Sequence, residues 1–240
     1  VIAFGGRTLK KDKSIAKYIN SPETPIYNKS KILYGLFQSK KAILNADECL
    51  LVEGYADVVS LHQACIENVV ASSGTSLTHE QVRLIRRFTN KITMLYDGDK
   101  AGLNAALRGL DIILEEGLSV NIVWLPENED PDSYVQKNGT NAMLAYVKEN
   151  AQDFIKFKTN FLLKDTQNDP FKRGEAVREV VSSIIKIPDV INRNIFYKEC
   201  SVLFGIEESV LISEGNKLLL KDQKKTADKN IVDELFTENK

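Results

Sequence analysis

Residues 49–130 predict an α/β fold with a parallel sheet covered by helices on both faces, on three observations. Short, almost wholly apolar runs such as Cys49-Leu50-Leu51-Val52 and Ile92-Thr93-Met94-Leu95-Tyr96 offer water no polar face, as strands buried on both sides require. Amphipathic stretches of helical period separate these runs, which builds strand-helix-strand units rather than hairpins. From about residue 140 the pattern is helical throughout, so a helical part follows the sheet.

Each element follows from local chemistry. Val1 to Phe4 reads as a strand, a basic loop punctuated by proline surrounds Ser21-Pro22-Glu23-Thr24-Pro25, and a helix precedes Asp47. Cys49 to Val52 is the first strand of the sheet. A helix follows over Asp57 to Ile66, with Val58, Leu61, Ala64 and Cys65 as its apolar positions. Val69-Val70-Ala71 is the second strand. Thr78 is a good N-cap, and Gln81 completes a capping box that opens a helix through Val82, Ile85 and Arg86. Ile92 to Tyr96 is the third strand, Lys100 to Glu116 a long helix stopped by Gly117, and Val120 to Leu125 the fourth strand. Helices then cover Asn141 to Glu149, Asp153 to Leu163, Arg173 to Ile187 and Asp189 to Phe204, with another from near Glu207. Pro170 and Pro188 stand at helix starts, where a missing N–H costs little. Beyond about residue 220, Lys-Asp-Gln-Lys-Lys and few apolar positions predict a loose tail or linker.

A chain of 240 residues, 43% hydrophobic and 27% charged, has the composition of a soluble globular protein with one large or two modest domains. No uncharged apolar run approaches the roughly 18 residues that a helical membrane span needs. The chain begins at Val1 without Met or a signal-like segment and reads as an excised piece. Its three cysteines, Cys49, Cys65 and Cys200, lie far apart with no CxxC pair. That excludes a four-cysteine zinc site and a disulfide framework, and fits a reducing cytoplasm.

A net charge of −1 conceals a separation of sign. Residues 1–41 hold nine Lys or Arg against two acids, and residues 97–132 hold nine acids against two Lys or Arg. Any one charge run is usually a solvated face. A cationic patch beside an acidic cluster is also what a metal-dependent enzyme acting on polyanions needs.

In an open parallel sheet, ligands gather at the carboxyl ends of the strands. Glu53-Gly54 follows the first strand, with Asp57 one turn later; Asp97-Gly98-Asp99 follows the third; Asp130-Pro131-Asp132 lies just past the fourth. Alone, Asp-Gly-Asp is usually a turn and Asp-Pro-Asp a helix cap with proline at the first helical position. Joint placement at successive strand ends is what carries weight. Six converging carboxylates repel one another unless cations bind, and hard oxygen donors suit Mg²⁺ or Mn²⁺. Two such ions serve phosphoryl transfer at a phosphodiester. His62 and His79 lack metal-ligand spacing and read as packing or surface residues. Phe4-Gly5-Gly6-Arg7 lacks the Lys-Ser/Thr of a P-loop, though Arg7 remains available for an anion. Ser72-Ser73-Gly74-Thr75 is chiefly a helix-entry loop that can touch phosphate.

These residues resemble a family. Glu53-Gly54-Tyr55-Ala56-Asp57-Val58, Tyr96-Asp97-Gly98-Asp99 and Asp130-Pro131-Asp132 are similar to the TOPRIM domain of bacterial replicative primases (DnaG). Phe4-Gly5-Gly6-Arg7, Lys17-Tyr18-Ile19-Asn20-Ser21-Pro22-Glu23-Thr24 and Tyr34-Gly35-Leu36 resemble the basic segment preceding TOPRIM in those primases, which sets them apart from topoisomerases and nucleases. The motifs cover residues 1 to about 140; Ala56 and Asn28 depart slightly from the family pattern. The resemblance implies a C-terminal part of the basic polymerase subdomain at 1–46, a TOPRIM domain at 47–140, a helical subdomain at 141–220 and a linker or loose tail at 221–240.

It further implies a bacterial cytoplasmic enzyme of the replisome, a nucleotidyltransferase joining ribonucleoside triphosphates into RNA primers on single-stranded DNA. Glu53, Asp97 and Asp99 would be catalytic; Glu53, Asp57, Asp97, Asp99, Asp130 and Asp132 would hold two or more Mg²⁺ or Mn²⁺ ions; Arg7, Lys17, Asn20 and Lys29 would hold template or nucleotide phosphates. Glu53 would act as ligand or as general base. The implied partners are the template, ribonucleotides, the RNA–DNA hybrid and a replicative helicase, the last through a C-terminal domain outside this sequence. An upstream zinc-binding domain also lies outside it. A TOPRIM nuclease or topoisomerase-type enzyme would use the same acids. A phosphoaspartyl protein with Asp97 as nucleophile fits less well, since Lys100-Ala101 stand where such phosphatases want a hydroxyl residue.

Overall fold

A short antiparallel ribbon opens the chain: β1 (Gly5–Arg7) pairs with β2 (Tyr18–Asn20), Gly5 opposite Asn20. The computed structural model describes residues 1–8, 18–74, 76–98, 100–164 and 169–237. The strand expected at Val1 to Phe4 therefore lies later. Phe4 instead closes the ribbon, its N–H donating to Ser21 Oγ and its carbonyl accepting the Ser21 N–H, both at 2.9 Å. A 3-10 turn at Lys29–Lys31, capped by the Asn28 side chain, leads into α1 (Leu36–Ala46).

The main sheet contains β3 (Cys49–Val52), β4 (Val69–Ala71), β5 (Lys91–Tyr96), β6 (Ser119–Trp124) and β7 (Gln152–Asp153), in the order β4-β3-β5-β6-β7. The first four run parallel, and β7 adds a two-residue antiparallel edge. Connections are made by α2 (Tyr55–Gln63), α3 (His79–Arg86) and α4 (Lys100–Glu115), and α5 (Pro131–Asn138) and α6 (Thr140–Asn150) follow β6. The helix expected from Asp57 starts at Tyr55, because Gly54 serves as its N-cap. Thr78 and Gln81 form the reciprocal capping box at the start of α3.

Strand residues alternate between two cores, as a pleated sheet dictates. Leu51, Val70, Met94 and Ile122 stand in register and join Val82 and Ile85 of α3 with Leu110 and Ile113 of α4. Leu50, Val69, Leu95 and Val123 face the other way, onto Val58 and Leu61 of α2, Val135 of α5 and Met143 of α6. Each fully buried aliphatic side chain is worth about 1.5–3 kcal/mol, so both helical layers are firmly held.

The C-terminal helices are α7 (Phe154–Lys164), α8 (Pro170–Ile184), α9 (Val190–Phe204) and α10 (Glu208–Thr237). Lys158 of α7 is only 3% exposed, and its ammonium donates to Ser183 Oγ of α8 at 2.9 Å. The Ser183 hydroxyl donates onward to Asp111 Oδ1 of α4 at 2.6 Å. A cation buried this deeply needs such partners, and the relay ties the helical part to the sheet. Residues 221–237, expected as a loose tail, are the second half of α10. After Gly215 the chain contains neither glycine nor proline and is rich in Lys and Leu, so its backbone favours helix although the stretch is polar. Pro188 precedes the N-cap Asp189 of α9 instead of starting the helix. Among the described residues no helix is long and apolar enough to cross a membrane.

The topology fixes where a site can form. From β3 the chain crosses to β4 on one side; from β5 it crosses to β6 on the other. The carboxyl ends of the neighbouring strands β3 and β5 thus flank a switch point, the crevice where open α/β sheets bind ligands.

Candidate active site

Glu53 leaves the end of β3 exposed, and Leu51 pairs with Met94, so extending the register sets Glu53 beside Tyr96. Gly54 adopts an extended conformation and its N–H donates to Asp57 Oδ2 at 3.2 Å. A Cβ on Gly54 would stand 2.9 Å from that oxygen. Asp57 is only 9% exposed, and its second oxygen accepts the Asp132 N–H at 3.3 Å. Burial, followed by repulsion from Asp130, pushes the Asp57 carboxyl up to about 6 despite these two hydrogen bonds; Asp132 adds to the rise.

Asp97 is half-buried where β5 ends. The Gly98 N–H donates to the Glu129 carbonyl at 3.3 Å, and a Cβ there would lie 2.3 Å from the Pro126 carbonyl oxygen. Only glycine lets the strand exit pass this close to the loop after β6.

That loop delivers Asp130 and Asp132 to the same edge. Asp130 is the N-cap of α5, its Oδ1 accepting the Ser133 N–H at 2.7 Å, while the Ser133 hydroxyl accepts the Asp130 N–H at 2.9 Å. Pro131 occupies the first helical position. The cap reading of Asp-Pro-Asp is therefore realised in the geometry, and it also holds Asp130 close enough to Asp57 to perturb it. The Asp132 carboxylate accepts the Ser60 hydroxyl at 2.5 Å and the Gln136 amide, and its other oxygen lies 3.8 Å from the Arg7 guanidinium of β1.

The structure thus brings Asp57, Asp130, Asp132 and Arg7 together, with Glu53 and Asp97 on the neighbouring strand exits. Asn20 lies at the ribbon's other strand: its amide nitrogen is 3.2 Å from where a Cβ on Gly74 would sit, and its oxygen 3.1 Å from one on Gly5. Tyr55 also presses on Gly5 and packs against Tyr34, ring centres 5.6 Å apart. Lys29 is held through its backbone, whose carbonyl accepts the Gln81 side-chain amide at 3.0 Å and whose N–H donates to Glu23 at 3.0 Å. Lys17 and Asp99 lie outside the described residues.

Among the described residues no group of three or more His, Cys, Asp or Glu is arranged to hold a metal ion. The donor chemistry nonetheless suits a hard cation: oxygen ligands only, with like-charge repulsion at Asp57 that a divalent ion would offset. His62 stands 3.0 Å from Ser39 Oγ and His79 3.0 Å from Glu116, both in packing roles.

Sequence reading missed Ser60 and Ser133, which hold Asp132 and Asp130. The serines carry no pattern of their own.

Two family descriptions match this chain: "Toprim-like" over residues 50–135 and "DNA primase catalytic core, N-terminal domain" over residues 1–40. The DNA primase of Clostridium acetobutylicum is 43% identical over 215 residues, covering 88% of this chain and 35% of that protein. The chain spans about a third of the length of such relatives. Among solved structures, a DNA primase domain from Pseudomonas aeruginosa superposes with a TM-score of 0.80 at 33% identity, over 90% of this chain and 68% of the other. A DnaG primase catalytic domain bound to single-stranded DNA gives 0.76 at 36% identity, over 87% and 67%.

Proposed function

The chain belongs to the DnaG family of bacterial DNA primases, and from that premise we propose that it is the nucleotidyl-transfer core that joins ribonucleotides into RNA primers on single-stranded DNA. The observation that supports the reading is the meeting of Asp57, Asp130 and Asp132 at one edge, beside the strand exits that carry Glu53 and Asp97, with Arg7 of the basic segment reaching Asp132.

Glu53, Asp97 and Asp99 are the proposed catalytic acids, and with Asp57, Asp130 and Asp132 the proposed holders of Mg²⁺ or Mn²⁺. When bound, such ions supply a lowered pKa for the primer 3′-hydroxyl and positive charge for the incoming triphosphate. The chain's own groups do the rest. Glu53, exposed at its strand exit, is placed to take a proton or to bind a cation. Asp57 has its two oxygens fixed by backbone N–H groups, so it orients the turns that carry Glu53 and Asp132. Arg7 offsets negative charge at the Asp132 end, and with Lys17, Asn20 and Lys29 it is proposed to hold template or nucleotide phosphates. The proposed organisation keeps a basic segment at 1–46, the TOPRIM domain at 47–140 and a helical subdomain from 141. The enzyme is proposed to work at the bacterial replication fork, with the RNA–DNA hybrid as product and a replicative helicase as partner.

The test is to incubate the full-length protein with end-labelled single-stranded DNA, ribonucleotides and Mg²⁺. Labelled ribonucleotides entering short, alkali-sensitive products support the reading; shortening of the DNA without incorporation would make the site a nuclease.

A further inference from the structure

The helical part turns one apolar face outward. α9 seats Tyr197, Cys200 and Phe204 in the core. At about 100° per residue, Ile191, Ile195 and Val202 point the opposite way, and they are 70%, 52% and 78% exposed. The outer face of a surface helix is ordinarily charged or polar. Here three β-branched side chains share one stripe with Lys198 and Glu199, both exposed. Such side chains hold one preferred rotamer in a helix, so burying them costs little conformational freedom. Apolar side chains gathered in a stripe, rather than scattered singly, mark a contact surface.

The order of residues in the stripe says what fits it. On either side of the peptide bond between Lys198 and Glu199 stand a cation and an anion. Three residues further out on each side stand Ile195 and Val202. An antiparallel copy of the same helix, turned about a two-fold axis through that point, sets Ile195 of each copy against Val202 of the other. It also sets each Lys198 against the other copy's Glu199. That is the reciprocity of an isologous interface, in which residue i meets j and j meets i. A parallel copy in register would set each charge against its own kind, which repels.

The stripe is clear of the carboxylate edge. Pro188, just before α9, lies 3.8 Å from where a Cβ on Gly117 would sit, and Gly117 precedes the amino end of β6. Glu199, in the middle of α9, is within electrostatic reach of Lys156 near the start of α7, beside β7, which pairs with the first half of β6. The outer face of α9 and the exits that carry Glu53 and Asp97 therefore belong to different ends of the sheet.

We propose that two copies of this chain pair through α9 in an antiparallel two-fold contact, with Ile195 on Val202 and Lys198 on Glu199 across it. The pairing does not depend on the nucleotidyl-transfer reading. A contact between two single helices falls below the roughly 1,200 Å² at which standard interfaces begin, so the dimer is weak, with a Kd on the order of 10–100 μM.

The test is sedimentation velocity of the full-length protein without nucleic acid. Between about 1 and about 300 μM the wild type should pass from monomer toward dimer. Val202→Asp, which puts an unpaired charge into the contact at a position exposed in the monomer, should raise the dimer Kd at least about tenfold. Lys198→Glu, which sets like charges against each other twice, should raise it at least about threefold. Combining Lys198→Glu with Glu199→Lys exchanges the signs and should return the Kd to within about twofold of wild type. Adjacent residues on one helix do not face each other, so the restoration reports a contact between copies. A wild type that stays monomeric over the whole range would overturn the proposal, and a lowered melting temperature of Val202→Asp would then give the stripe to another segment of the same chain. A dimer indifferent to Val202→Asp would place the contact elsewhere and overturn it too. So would failure of the double reversal to restore pairing, because the helices would then not run antiparallel about Lys198 and Glu199.

Discussion

Replacing Asp57 with asparagine should reverse sign with pH. In the folded chain the Asp57 carboxyl titrates at about 6 against an ordinary 3.8, so the folded state holds the proton more tightly than the unfolded state. Stability from this group is therefore fully present below about pH 4 and is lost as pH rises to about 6, staying level above that. The difference of about two pH units corresponds to about 3 kcal/mol, undiminished by solvent because the side chain is 9% exposed. Asparagine carries no charge, which removes that penalty at neutral pH. Its carboxamide can accept only one of the two backbone N–H groups that Asp57 accepts, from Gly54 and Asp132, and losing one costs about 1 kcal/mol at every pH. The variant should be less stable than wild type by about 1 kcal/mol at pH 4 and more stable by about 2 kcal/mol at pH 7. Urea unfolding of both proteins in EDTA between pH 4 and 7 measures this directly. A difference that does not change with pH would refute the reasoning, because it would mean that Asp57 feels neither burial nor Asp130.

Two further substitutions separate packing and capping from chemistry. Gly98→Ala puts a methyl 2.3 Å from the Pro126 carbonyl oxygen, a backbone atom that cannot swing away, so the melting temperature should drop by several degrees for about 1–3 kcal/mol of overpacking and primer synthesis should fall at least about tenfold. Calorimetric scanning beside the synthesis assay checks both, and a fully active variant would contradict the close approach. Asp130→Ala should cost about 1 kcal/mol in urea unfolding through loss of the Ser133 cap, whereas Asp130→Asn keeps the cap and should leave stability nearly unchanged. Both should impair synthesis; normal synthesis by the asparagine variant would leave Asp130 with its capping role alone.

Elements whose signal lies within a few residues were legible in the chain. β3 and β5 show as apolar runs, and the Thr78–Gln81 box marks the start of α3, because strand burial and capping depend on neighbours in sequence. β1 was misplaced because the pairing of Gly5 with Asn20 spans residues that share no local pattern. β7, with two residues, is shorter than any period can report. α10 was mistaken for a tail because polarity was weighed above helix propensity. At the site, the six carboxylates stood out by their spacing after strands. Asp130 shows why spacing alone was insufficient: one residue both caps α5 and perturbs Asp57 across the edge. The meeting of the basic and acidic segments through Arg7 and Asp132 is a tertiary fact that charge counts only hint at.

The most direct test of the central claim is template-directed RNA synthesis by the full-length protein and its Asp97→Asn variant at saturating Mg²⁺ or Mn²⁺. Asparagine retains the size of the side chain at the β5 exit and removes the negative charge that holds a divalent ion. The account predicts that wild type extends ribonucleotides into primers on single-stranded DNA, while the variant folds, binds the template as tightly, and synthesises at least about a hundredfold less, as loss of a group acting mainly in the transition state does. Synthesis by the Asp97→Asn protein at a rate near wild type would contradict it.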